Sequence, residues 1–143
     1  MEPYLESNVI KLITGPRRAG KSVFALQILK GRNFAYLNFD DSSLLDNFDE
    51  DAVMQALSEV YPGYTHLLLD EVQNLEAWDV WVSRLKRNGA NLVITGPNAR
   101  MLSSEMAIVL TGRCVEFSRE MIKINCRGLR QFVCQSLYFL RRA

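Results

Sequence analysis

No other stretch of the chain narrows the choice of fold as far as residues 15–22, GPRRAGKS, which match G-x-x-x-x-G-K-[ST] at every fixed position. The preceding segment, NVIKLIT (8–14), is short and rich in β-branched residues and reads as a buried strand. The following one, KSVFALQILKG (21–31), has helical periodicity and a glycine stop. Strand, glycine loop and helix in that order form a cradle for phosphate. Gly15 and Gly20 let the backbone curl until successive N–H groups point inward, and the helix adds its positive end. Lys21 brings a point charge for β- and γ-phosphates, and Ser22 a hydroxyl for Mg2+. The nucleotide-holding stretch is therefore Gly15, Pro16, Arg17, Arg18, Ala19, Gly20, Lys21, Ser22 and Val23. Arg17 and Arg18, in its variable part, either steer a triphosphate or face solvent.

The remainder alternates in the same manner. NFAYLNFD (33–40) reads as a second strand, and DSSLLDNFDEDAVMQALSEVYPG (41–63) as an acidic connection into a helix closed by Pro62 and Gly63. THLLLDE (65–71) is a nearly all-apolar strand of the kind buried on both faces of a parallel sheet. LEAWDVWVSRLKRNG (75–89) is an amphipathic helix with Trp78, Trp81, Val82 and Leu85 on one face. ANLVITG (90–96) is a fourth strand, ARMLSSEMAIVLTG (99–112) a further helix and RCVEFS (113–118) a fifth strand. Strands alternating with helices predict an α/β fold whose mostly parallel sheet is covered on both faces.

The third strand ends in two adjacent carboxylates, Asp70 and Glu71. Like charges side by side destabilise unless something positive holds them. Given the phosphate loop upstream, that partner is Mg2+, with Ser22 and Asp70 as its protein ligands and Glu71 placed to polarise the water that attacks a γ-phosphate. An adjacent glutamate favours hydrolysis over transfer to a second nucleotide. Gln73 either helps orient that water or is a surface amide. At the end of the fourth strand, Thr95 and Asn98 are candidates for sensing the γ-phosphate; Asn98, which both donates and accepts, is favoured. Arg113 either reaches a γ-phosphate in a neighbouring subunit, as an arginine finger does, or lies on the surface.

Length and charge set the wider frame. At 143 residues the chain is about one domain and needs neither disulfides nor structural metal to bury a core. Cys114, Cys126 and Cys134 are odd in number, lack C-x-x-C spacing, and read as reduced thiols. MEPYLESNVI lacks the order of a secretory signal, and no apolar run approaches the roughly 20 residues of a membrane span. A cytoplasmic location without membrane association is expected. The net charge of +1 hides an asymmetry, because residues 113–143 carry seven Lys or Arg against Glu116 and Glu120. That basic end is the compositional hint of a protein or DNA partner. Within it, Leu129, Val133, Leu137 and Leu140 share one helical face. The expected organisation is a core over 1–118 and a basic, partly amphipathic tail over 119–143.

In this order, GPRRAGKS, YLNFDD, LLLDEVQN with its tryptophan-containing helix, VITGPNARMLSSE and LTGR resemble the AAA-type ATPase core of many bacterial and archaeal predicted ATPases. The resemblance covers roughly residues 8–113. It implies a three-layer αβα sandwich with strand order 5-1-4-3-2, Mg2+-dependent ATP hydrolysis, a phosphate-sensing position after the fourth strand, and a functional role for Arg113. Two departures stand out. Pro97 replaces the family's usual serine, and the family's PLSFxEF-like segment and carboxyl-terminal domain give way here to CVEFSREMIKINCRGLRQFVCQSLYFLRRA. The expected function is ATP binding and hydrolysis, with homo-oligomers conceivable, by the core of a longer protein. The alternative is an ATP-gated binding module with little turnover. A small-molecule kinase fits less well, because no second glycine- and arginine-rich lid is present.

Overall fold

The computed structural model describes residues 2–96 and 114–118. Its strands are β1 (Ile10–Thr14), β2 (Phe34–Asn38), β3 (His66–Asp70), β4 (Leu92–Gly96) and β5 (Cys114–Ser118). Its helices are α1 (Glu2–Leu5), α2 (Lys21–Ile28), α3 (Ser42–Asp46), α4 (Glu50–Val60) and α5 (Trp78–Arg87), with a 3-10 turn at Val72–Asn74. The strands form one sheet in the order β2-β3-β4-β1-β5, and every pairing is parallel. This is the order 5-1-4-3-2 seen from the other edge. The expected helix over 99–112 and the tail over 119–143 lie outside the described residues.

Alternate side chains of the sheet enter two separate cores, which is why the central strands read as unbroken apolar runs. Ile10, Leu12, Leu67, Leu69, Leu92 and Ile94 pack with Leu57 of α4 and with Trp78, Trp81, Val82 and Leu85 of α5. Ile13, Leu68 and Val93 face the other way, against Ala25 of α2 and the adjoining Leu29. The result is three layers. Phe48 and Phe39 meet Trp81 edge-on with ring centroids 5.0 and 5.9 Å apart, fixing the connection after β2 to α5.

Two local expectations are corrected. The acidic connection over 41–63 is two helices, because both Asp41 and Asp49 act as N-caps, accepting from the Ser43 and Ala52 N–H groups at 3.0 Å each. The helix expected from residue 75 starts at Trp78. Before it stand the 3-10 turn and Ala77, whose φ of 53° is left-handed and cannot continue a helix.

At the amino-terminal edge of the sheet, buried polar side chains fasten residues 5–8. Lys11, fully buried, donates to Ser7 O and Asn91 Oδ1 at 2.5 Å each. Lys86 donates to Asn8 O and, at 2.5 Å, to Asn8 Oδ1. Leu5 O accepts from Asn91 Nδ2 at 2.9 Å and lies 3.1 Å from His66 Nε2. Burial, with a smaller contribution from the like charge of Lys86, pulls the Lys11 ammonium from 10.5 down to about 8. Among the described residues, no helix is long and apolar enough to cross a membrane.

Candidate active site

Parallel pairing places the carboxyl ends of all five strands on one edge. The chain leaves β1 for α2 on one face, and leaves β3 for α5 on the other. Connections that diverge in this way open a crevice at the strand ends. Residues 15–20 follow the carboxyl end of β1, on that same edge. Gly15 (φ 154°) and Gly20 (φ 74°) adopt backbone conformations that a side chain disfavours, and Arg18 is left-handed at 64°. Pro16, Arg17 and Arg18 are exposed while Ala19 is buried, its N–H donating to Pro16 O at 3.1 Å. No side chain caps α2 and its first turn carries no acid, so nothing in the helix opposes the positive end of its dipole.

Asp70 is the hub of the site. It is 3% exposed, and its two oxygens accept from three hydroxyls. Ser22 Oγ donates to Oδ1 at 2.9 Å, Thr95 Oγ1 donates to the same oxygen, and Tyr36 Oη donates to Oδ2 at 3.0 Å. Each donor comes from a different element. The register Leu69↔Ile94 sets Thr95 beside Asp70 one residue further on, and β2 supplies Tyr36 from the opposite side. Burial, reinforced by the Asp70 charge, pushes the Tyr36 phenol up to about 12, so it remains a donor.

Glu71 has left-handed backbone (φ 54°), held in part by its N–H donating to Thr95 Oγ1 at 3.0 Å. Such a conformation is unfavourable for a residue with a side chain by about 1–2 kcal/mol and persists where neighbours enforce it. Its carboxylate lies 3.5 Å from Lys21 Nζ and accepts from Gln73 Nε2 at 2.7 Å. Lys21, 4% exposed, also donates to Pro16 O at 3.3 Å. One ammonium thus spans the loop and the end of β3.

The structure brings together the loop from Gly15 to Ser22, Asp70, Glu71, Gln73 and Thr95. Val23, at the third position of α2, is 58% exposed. Asn98 and Arg113 lie outside the described residues. Tyr36 was not singled out by sequence reasoning, although it lies within YLNFDD; its role depends on which strand neighbours β3. Among the described residues, no group of three or more His, Cys, Asp or Glu is placed to hold a metal ion. The oxygens of Ser22 and Asp70 suit instead a hard cation such as Mg2+, which takes one or two protein oxygens and completes its shell with phosphate and water.

A sequence profile of the AAA domain family matches residues 7–126. This chain belongs to the AAA domain family. The AAA domain is 34% identical over 136 residues to an uncharacterized protein of Methanocaldococcus jannaschii, spanning 92% of the chain and 30% of that relative. It is 33% identical over 142 residues to an uncharacterized protein of Haemophilus influenzae, spanning 91% of the chain and 34% of the relative. The chain thus spans about a third of the length of these relatives. Among solved structures, the AAA domain is similar to the flagellar accessory protein FlaH of M. jannaschii, with a TM-score of 0.49 and 11% identity, covering 82% of this chain and 74% of that one. Family membership indicates a nucleotide-binding domain of the phosphate-loop ATPase type.

Proposed function

We propose that this AAA domain binds ATP with Mg2+ and hydrolyses it, as the core of a longer protein. The observation that carries this reading is the meeting of Ser22 with Asp70 at 2.9 Å, beside a Glu71 carboxylate already within reach of Lys21. In this reading the Gly15–Val23 stretch holds the triphosphate, its loop N–H groups and Lys21 facing the β- and γ-phosphates. Ser22 and Asp70 would hold Mg2+, which would supply positive charge against the phosphates. Glu71 accepts one proton from water while the water oxygen bonds to the γ-phosphorus. The bond from that phosphorus to the β–γ bridging oxygen breaks, leaving ADP, and Glu71 passes its proton to the released phosphate. Positioning and fixed charge supply most of the acceleration in such a reaction.

Asn98 and Arg113 are proposed to contact the γ-phosphate, Arg113 from a neighbouring copy of the chain. The preference for adenine rests on family resemblance. The proposed setting is the cytoplasm, where the three thiols stay reduced. We further place the end of the core at residue 118, with the basic segment over 119–143 as the surface for a protein or DNA partner.

Phosphate release from MgATP, titrated over protein concentration with Lys21→Ala as the blank, tests the reading. Turnover that rises faster than linearly with protein is expected of a site completed between copies. Retained ATP binding without turnover favours the nucleotide-gated binding module, and no binding at all overturns both.

A further inference from the structure

Gln73 sits in the 3-10 turn that follows Glu71. Its amide is used at one end only. Nε2 donates to Glu71 Oε2 at 2.7 Å, whereas Oε1 is shut off from solvent and has no hydrogen-bond partner, alone among the buried side-chain polar atoms of the described residues. A buried acceptor without a donor is destabilising and calls for a physical reason. Turning the amide over would not help, since Oε1 would then face a carboxylate and the donated bond would be lost. Nor is the turn free to shift. Asn74 N–H donates to Glu71 O at 3.1 Å, Asn74 Nδ2 reaches Phe39 O at 3.1 Å and Asp40 Oδ1 at 3.0 Å, and Val72 is fully buried. The unpartnered oxygen is therefore fixed beside the carboxylate.

We propose that Gln73 is a further catalytic residue, which grips Glu71 through Nε2 and presents Oε1 to the attacking water. This rests on the ATPase reading above. Lys21 and Gln73 hold opposite oxygens of Glu71, Oε1 and Oε2. Incoming phosphates compete for Lys21 and release Oε1, while Gln73 keeps the carboxylate in place through Oε2. The departure of Lys21 from Glu71 is also what opens Gln73 Oε1, closed to solvent without nucleotide, to a water, which between the freed Glu71 Oε1 and Gln73 Oε1 has an acceptor for each proton. One proton moves to Glu71 as the water oxygen bonds to the γ-phosphorus and the bond to the bridging oxygen breaks. The other remains on the phosphate hydroxyl, hydrogen-bonded to Gln73 until product leaves.

Two fluoride complexes separate this role from a structural one. ADP·BeF3− mimics the ground state without a committed water, whereas ADP·AlF4− stands for the transferring group with the attacking water in line. The 143-residue chain, Gln73→Met and Gln73→Glu are compared with Mg2+ present. Gln73→Met, close in size but without either hydrogen-bonding group, should weaken ADP·AlF4− at least about tenfold while leaving ADP·BeF3− within about twofold, and lower kcat by a similar factor at unchanged KM. Gln73→Glu, which loses the donor, should show the same selective loss. If Gln73→Met fails to fold, Gln73→Asn, one methylene shorter and equally polar, must show it instead. Equal affinity ratios for the two complexes in parent and variants overturn the role of Gln73 and leave the ATPase reading standing. A parent chain that binds neither complex overturns that reading itself, and the inference with it.

Discussion

The two edges of the sheet solve the problem of buried charge in opposite ways. At the amino-terminal edge, Lys11 meets neutral oxygens from Ser7 and Asn91, and the donors of Lys86 and Asn91 turn to the carbonyls of Asn8 and Leu5. Donors and acceptors are matched, and the outcome is a fastened segment. At the carboxyl edge Asp70 rests on three hydroxyls, the adjacent Glu71 has left-handed backbone and lies 3.5 Å from the Lys21 ammonium, and a buried amide oxygen lacks a donor. A polar network that closes on itself rigidifies the fold, whereas one left open with strain beside it marks a place where a ligand belongs.

Substitutions at each edge should therefore act on different observables. The largest effect is expected from Glu71→Gln, which keeps the shape and removes the proposed base: turnover should fall by about 100-fold or more while ATP binding persists, as read by single-turnover phosphate release beside a binding titration. Unchanged turnover would end the assignment of Glu71. Next comes Lys11→Met, which should leave turnover alone and alter the pH dependence of stability. The folded chain releases the Lys11 proton near pH 8 and the unfolded chain near 10.5, so between those values the unfolded state binds more protons. Stability of the parent relative to Lys11→Met should accordingly rise with pH across that window, by about 3 kcal/mol in all. Urea unfolding of both proteins at several pH values measures it, and parallel curves would contradict the buried-ammonium account.

Thr95→Val removes the hydroxyl that holds both Asp70 and the Glu71 backbone, and should cost roughly tenfold in kcat/KM. The smallest change is expected from Tyr36→Phe, about fivefold in Mg2+ dependence of turnover, because Asp70 keeps two other hydroxyl donors. A Tyr36→Phe effect larger than that of Thr95→Val would reverse their order of importance and make β2, rather than β4, the main support of Asp70.

How much of this was legible in the chain depended on the range over which each feature is specified. The glycine loop and the pair Asp70–Glu71 are local signals, because their chemistry depends on spacings of a few residues. The all-apolar β3 and the face shared by Trp78, Trp81, Val82 and Leu85 also read directly, since burial is written in periodicity. The caps Asp41 and Asp49 carry a recognisable local signature, and the break between α3 and α4 follows from them. Tyr36, which the sequence did not single out, and the contact of Thr95 with Asp70, which it did not reveal although Thr95 itself was a candidate, are different. Their value comes from lying on either side of Asp70, which requires both strand order and register, and neither is encoded in any single segment. Gln73 reads from the sequence either as an aid in orienting water or as a surface amide, and the burial of its oxygen beside Glu71 argues against the second.

The place of β1 in the sheet bears on how the protein is made. β1 pairs with β4 and β5, the last two of the described strands to be synthesised, and with neither of those that come directly after it. During translation β2 and β3 can pair while the strand that carries the phosphate loop still waits for its neighbours, separated from them by most of the chain. The loop thus leaves the ribosome before most of the described sheet and gains its framework only when β4 and β5 follow. A nascent chain stalled before β4 would expose a β1 whose neighbours in the sheet are still missing.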